Sequence, residues 1–425
     1  MRTENAMPIT RAQPPCPRTS EDALHVAVEP IDTAGDGRLT RRYWDWRALY
    51  DSDPAAYAFQ HPDVVLAELR HCRATFPSPA LLIAEQHGRV VGLGALVPKV
   101  VATARLGGVG LSWTWQGLRL AGNRWLLRDA NRAAEAALTQ AALNYVRDSG
   151  ARFLLLEDLE VDTPFAETVR TIGREWLTWH HAGIQRRWRI QLPRTRTDYW
   201  ERFSKKTLST MRRKLKKFGS TRLERITDIA QVPHFLEVAH AVSLQTWQTR
   251  QFGLRIRNDS AELEVYSQLA QHGLLRSYLW YSNEQPVAFL VGIQDKTCFH
   301  YEEVGYATPF ARFSPGQMLL VQVLDDLFAH QRPEWFDFGG GDADYKQFFA
   351  THESRSGTVW LLPPTAVNRL AVGHLSSCRL ARQAARCAIR LAGWAQRARH
   401  WVRYSGTPTG RSSPRSASDA ADDGD

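Results

Sequence analysis

Two stretches of the chain run through the same order of patterns. Leu81–Ala84 and Val90–Val97 flank His87–Gly88 and read as two strands joined by a tight turn. An Ala-rich helical pattern follows over Asn131–Asp148, stopped by Gly150, and then an apolar run, Phe153–Leu156, fit for a buried strand. Further on, Tyr278–Tyr281, the turn Asn283–Gln285 and Val287–Ile293 make a second hairpin. A strand at Cys298–Tyr306, a helix after Ser314 and a strand at Trp335–Phe338 complete the second set. Hairpin, helix, strand in two copies is most economically one α/β unit used twice. The expected organisation is a flexible leader over 1–40, lobes over 41–195 and 196–364, a basic amphipathic helical segment over 365–404 and a disordered tail over 405–425.

The segment between the two sets is a basic amphipathic helix. Ser204 is its expected N-cap and Gly219 its expected stop; Leu208, Met211, Leu215 and Phe218 share one face. Lys205, Lys206, Arg212, Arg213, Lys216 and Lys217 occupy the rest. Two readings stand: a solvated face, or a docking surface for a nucleotide cofactor, a lipid-linked glycan or RNA. Most of the formal net charge of +10 lies elsewhere, because eleven arginines and no acid fall between Ser354 and Ser418 before four closing aspartates. Within that block, arginines beside Leu and Trp over 369–403 suit either an anionic membrane interface or packing on the protein's own body.

Composition narrows the classes. With 425 residues, 44% hydrophobic and 23% charged, the chain is globular in make-up and long enough for a sizeable core. Five scattered cysteines without a Cys-x-x-Cys pair argue against a disulfide framework and a cysteine zinc site, so no metal and a reducing compartment are expected. No apolar run approaches the roughly 18–20 residues of a membrane span. Met1–Pro30 lacks the apolar core of a secretory signal. The expected location is the cytoplasm, with peripheral attachment to the inner membrane face as the variant.

Three adjacent features could carry chemistry. In Thr297–Tyr306, Phe299 and Tyr301 share a parity that Val304 and Tyr306 break, so the switch at Glu302–Glu303 is either a β-bulge or a strand covered on both faces. A bulge would aim a carboxylate or a free amide into a cleft; otherwise the two acids form a solvated strand end. In Ser314-Pro-Gly-Gln-Met, Ser314 and Gln317 make a capping-box pattern, and the amides of Gly316, Gln317 and Met318 would face an anion at the helix start. In Asp337-Phe-Gly-Gly-Gly-Asp-Ala-Asp-Tyr-Lys346, glycines at a strand end allow close approach, Tyr345 could donate a proton and Lys346 could meet a phosphate. The alternative there is a structural ion pair of Asp337, Asp342 and Lys346.

Together with the basic helix from Ser204, Pro286-Val-Ala-Phe-Leu and Gly305-Tyr306, these motifs are collinear over about Ser204–Phe349. In that order they resemble the GNAT superfamily, specifically its tandem-domain CelD/BcsL-type (cellulose-biosynthesis) acetyltransferases, which are related to Fem-type transferases. Trp44-Asp-Trp-Arg-Ala-Leu and the hairpin at Gly88 resemble a weaker first GNAT half. The resemblance implies two tandem GNAT-like domains with a mixed α+β sheet and acyl-CoA (acetyl-CoA) lying where two strands part. It also implies transfer of the acyl group to an amine or hydroxyl of a small-molecule or glycan acceptor. Mapped onto this chain, Glu302 or Glu303 is the expected base, with Asp342 second, and Tyr345 protonates the leaving thiolate. Arg312, Ser314, Gly316, Gln317, Met318 and Lys346 would bind the donor, although Arg312-Phe-Ser-Pro-Gly-Gln departs from the common Arg/Gln-x-x-Gly-x-Gly/Ala signature. The first half, which lacks that loop, would be a structural or acceptor-binding lobe. The rivals are an aminoacyl-tRNA-dependent Fem-like transferase, gripping RNA through the basic helix, and a non-catalytic scaffold of a polysaccharide-assembly complex.

Overall fold

The computed structural model describes residues 23–32, 42–72, 76–102, 114–181, 183–246, 256–341 and 343–405. Its first half contains β1 (His25–Pro30), α1 (Tyr43–Ser52), α2 (Pro62–Arg70), β2 (Ala80–Gln86), β3 (Arg89–Ala102), β4 (Thr114–Leu120), β5 (Leu126–Leu127), α3 (Arg132–Asp148), β6 (Leu154–Glu160), α4 (Pro164–Ile172), β7 (Leu177–His180) and β8 (Gln185–Gln191). The second half contains α5 (Arg196–Trp200), α6 (Lys205–Lys216), β9 (Thr221–Ile226), α7 (Val232–Leu244), α8 (Ser260–Gln271), β10 (Ser277–Ser282), β11 (Gln285–Gln294), β12 (Cys298–Tyr306), α9 (Pro315–Ala329), β13 (Trp335–Gly340), α10 (Asp344–Phe349) and β14 (His352–Leu362). A last helix, α11, covers Ala366–Ser405.

Local chemistry explains the elements that matter most. Both hairpins turn on residues with positive φ, His87–Gly88 and Asn283–Glu284, the backbone that two-residue loops demand. Asn131 caps α3 by accepting from the Ala134 amide at 3.0 Å. Ser204 caps α6 by accepting from the Thr207 amide, and Gly219 takes a positive φ just beyond the helix end. Leu208, Met211 and Leu215 pack on the core with buried Phe218, while the six cations of the opposite face are exposed.

The strands form one mixed sheet in the order β1-β2-β3-β4-β6-β14-β8-β13-β12-β11-β10-β9, with β5 and β7 added beside β3 and β14. The repeat read from the sequence is present: two antiparallel meanders, β2-β3-β4 and β10-β11-β12, each meet one parallel strand, β6 and β13. What the sequence did not reveal is an exchange. The strand ending the first half, β8, pairs with β13, and the strand ending the second, β14, pairs with β6. Helices cover both faces. Separate cores lie under α3–α4 and α1–α2 in one half, and under α6–α9 and α7–α8 in the other.

One expectation is corrected: the leader assigned to 1–40 contains β1, which pairs with β2 from His25 to Pro30. The expected tail lies almost wholly outside the described residues. Chain contacts separate a unit reaching to Asn368 from a second beginning at Arg369, whose described part is the remainder of α11. No helix among the described residues is long and apolar enough to cross a membrane.

Candidate active site

The parity switch in β12 is a bulge. Val291 pairs with Glu303 and Gly292 with Tyr301, so Glu302 is the extra residue left out of the ladder. On its other side β12 pairs with β13 at only three positions, Cys298↔Trp335, Phe299↔Phe336 and His300↔Asp337. Beyond them Tyr301–Tyr306 and Phe338–Gly340 run on without pairing to each other, so the sheet opens into a V just where the bulge lies.

Against one arm of that V rests the start of α9. A Cβ on Gly316 would lie 3.8 Å from the Tyr306 ring and 3.9 Å from Val304, in ordinary contact with both, so the glycine leaves about a methyl's width between helix and strand. Here the capping-box expectation fails. Ser314 has a left-handed backbone (φ 60°, ψ 55°) and caps no amide with its side chain; its hydroxyl instead meets Lys214 Nζ at 3.2 Å. The Met318 amide donates to the Ser314 carbonyl and its side chain is core, which leaves the first-turn amides of Gly316 and Gln317 for an anion. Arg312 is exposed, its guanidinium lying over the Phe313 ring at 4.6 Å.

On the other side of the V a cavity of about 1240 Å³ lies between the halves, lined among others by Tyr57, Asp158, Arg187, Arg189, His300, Glu302, Glu303, Val304, Tyr345 and Lys346. Four predicted site residues, Glu302, Glu303, Tyr345 and Lys346, therefore meet in it, whereas Arg312, Ser314, Gly316, Gln317 and Met318 are not among its lining residues. Asp342 lies outside the described residues. Tyr57 of the first half donates to Glu302 Oε1 at 2.5 Å; burial and the facing carboxylate hold its phenol well above the ordinary range. Tyr345 is likewise raised by burial and so stays protonated, and burial raises the neighbouring Tyr301 phenol as well. Lys346 does not reach toward α9. Its ammonium donates to the carbonyls of Phe338 (2.7 Å) and Gly340 (2.9 Å), and burial lowers its pKa.

The ion pair weighed for Asp337 exists with other partners. Buried Asp337 accepts from Arg187 Nε at 2.9 Å and Arg189 Nε at 2.7 Å, both on the exchanged strand β8. Arg187 continues to Asp158 at 2.6 Å and Arg189 to Glu160 at 3.1 Å. Burial alone would raise the Asp337 pKa; the two guanidiniums outweigh it and hold the carboxyl far below its usual range. Gly339 and Gly341, with positive φ, turn the chain away at this point, as the glycine run suggested. His300 bonds Asp295 at 2.7 Å; burial works against its charged form, but Cys298 and Asp295 prevail and raise its pKa.

Sequence reasoning missed Tyr57, His300, Arg187 and Arg189. For His300 a signal was present, since Cys298 and His300 alternate with Phe299 and Tyr301 and mark the polar face of β12. For the other three there was none, because their partners are remote in sequence.

Residues 202–347 match the family model for the acetyltransferase (GNAT) domain. No curated protein matches the chain. Among solved structures it is similar to FemX, at 15% identity and a TM-score of 0.53, over 76% of this chain and 97% of that one. It is also similar to the C-terminal domain (DUF2156) of a putative lysylphosphatidylglycerol synthetase from Agrobacterium fabrum (12%, 80% and 96%, TM-score 0.48). A tandem GNAT protein from the clavulanic acid biosynthesis pathway is a third (11%, 80% and 100%, TM-score 0.45). The FemX likeness is one of fold. The match to the GNAT acetyltransferase domain over 202–347 covers α6, the bulged strand, the start of α9 and the end of β13, and so falls on the second half of this chain.

Proposed function

We propose that the protein is an acyltransferase that takes an acyl group from acyl-CoA, entering the V between β12 and β13, and passes it to an amine or hydroxyl bound in the cavity between the halves. The observation that carries this reading is the parting of β12 from β13 after His300, with Glu302 bulged at the vertex. The pyrophosphate would rest on the Gly316 and Gln317 amides and the pantetheine arm would pass Val304. Glu302, oriented by Tyr57, accepts the proton of the attacking amine or hydroxyl. The new N–C or O–C bond forms as the thioester C–S bond breaks, an amide freed at the bulge stabilises the oxyanion, and Tyr345 protonates the departing thiolate. Carboxylates and cations both line the cavity, which favours a polar, many-hydroxyl acceptor such as a glycan or its precursor, the substrate class of the CelD/BcsL-type resemblance.

A second reading, transfer of an aminoacyl group from tRNA, is favoured by the FemX-like fold and by the six exposed cations of α6. Acyl-CoA and charged tRNA offered in parallel to the purified chain separate the two. Thioester-dependent transfer that falls in Glu302→Gln supports the first; retention of tRNA that weakens steeply with salt, with no turnover of acyl-CoA, overturns it in favour of the second.

A further inference from the structure

A second cluster of ionisable groups, away from the V, joins the halves. His61 precedes Pro62 at the start of α2, and Asp63 is in that helix's first turn; His272 closes the C-terminal end of α8. One ring nitrogen of each histidine and a carboxylate oxygen of Asp63 all lie within 4.8 Å of one another. His61 is 1% exposed and Asp63 8%. The Nε2 atoms of both rings are buried with no hydrogen-bond partner among the described residues. His272 Nε2 is 2.8 Å from Asp63 Oδ2 without forming a hydrogen bond to it; His61 Nδ1 is 4.0 Å from the same oxygen and accepts from the Asp63 amide at 3.2 Å. Buried polar atoms normally find partners, so an orphaned His272 nitrogen this near the Asp63 carboxylate needs an explanation.

We propose that these three side chains bind a first-row divalent cation, zinc in preference, as a clasp between α2 and α8. A tetrahedral zinc with ligands at about 2.0–2.2 Å sets its donor atoms about 3.3 Å apart, between the 2.8 and 4.0 Å observed, with the His61 Nδ1 lone pair turned from the Asp63 amide to the cation. Two imidazoles and one carboxylate form a hard-to-borderline set that suits zinc and leaves a fourth position for water on the side of the partly exposed His272. The outer shell is in place: Tyr43 Oη donates to both Asp63 oxygens, at 3.1 and 3.0 Å, which orients the carboxylate. The cation would reinforce a junction that also contains the His71–Glu264 contact at 2.6 Å.

The test uses the full chain, stripped with a chelator, given zinc or cobalt(II) and freed of excess. Expected are one tightly held zinc per chain, a rise in Tm, and binding at least about tenfold weaker in His272→Gln and in Asp63→Asn. Cys298→Ser, which alters the other His/Cys/Asp cluster of the described residues, should leave the stoichiometry unchanged. Because His272 is at a helix end and partly exposed, its replacement spares the core, and circular dichroism confirms the fold. Cobalt should give visible ligand-field bands without the intense near-ultraviolet thiolate band. No bound zinc in the wild type, full retention in His272→Gln, or a thiolate band would each overturn the proposal.

Discussion

The two halves repeat one strand order, yet their parallel strand pairs end differently. In the first half β4 and β6 pair at Leu118↔Leu154 and Arg119↔Leu155, and β4 stops one residue later at Leu120. In the second, β12 continues through Tyr306 after its last pair at His300. The register of β3 with β4 is unbroken, whereas β11 and β12 slip at Glu302. Arg119, at the place equivalent to His300, is buried and bound to Glu68 at 2.6 Å, with Glu157 at 3.7 Å. One half thus has a short arm closed by an ion cluster and the other a long, bulged arm beside a glycine-bearing helix start. A shared fold does not give both copies the same chemistry. On the proposed function, the arm beyond the last pair is what would let only the second copy hold an extended donor.

The exchanged strands bind this asymmetry together, and Asp337→Asn should show the largest effect on stability. It leaves Arg187 and Arg189 without their shared buried carboxylate, an expected loss of about 3–5 kcal/mol by denaturant unfolding. If the halves were independent, a single early transition of the second half alone would appear instead. Glu302→Gln should lower kcat roughly 10²-fold with the fold and donor affinity unchanged, and Arg119→Gln should not. Equal losses in both would erase the functional difference between the halves.

Acid should weaken the junction between them. Burial and the neighbouring His272 hold His61 down to about 3, while the unfolded chain takes up its proton near pH 6.5. Stability present above that value is therefore lost as pH falls from about 6.5 toward 3, on the order of 2 kcal/mol in the metal-free chain. Thermal unfolding at pH 7 and pH 5 measures it, and His61→Gln should flatten the dependence. The smallest effect belongs to α6: Lys205→Glu with Lys206→Glu should change stability by less than about 0.5 kcal/mol, since both side chains are exposed. The same pair should abolish any tRNA retention, while leaving acyl-CoA affinity intact.

Much of this was legible because it is local. The hairpin turns, α3 with its Asn131 cap, the basic helix and the bulge follow from spacing that a single segment carries. Glu302 came into view because a parity switch in a strand means either an extra residue or two covered faces, and the ladder contains the extra residue. The exchange of β8 and β14, the pairing of β1, and the Arg187–Asp337–Arg189 cluster were not visible, since they depend on which distant strand arrives beside which. The Ser314 capping box was misread for a related reason. Its pattern was right, but the preceding turn delivers the serine in a left-handed backbone, where its hydroxyl faces Lys214 instead of the helix amides.

The most direct test of the account is calorimetric titration of the full chain with acetyl-CoA, for the wild type and for Gly316→Trp, whose indole would crowd the start of α9 beside Val304 and Tyr306. One donor bound per chain in the wild type and none in the variant is the expected result. Undiminished binding in Gly316→Trp, or two donors per chain, would contradict it.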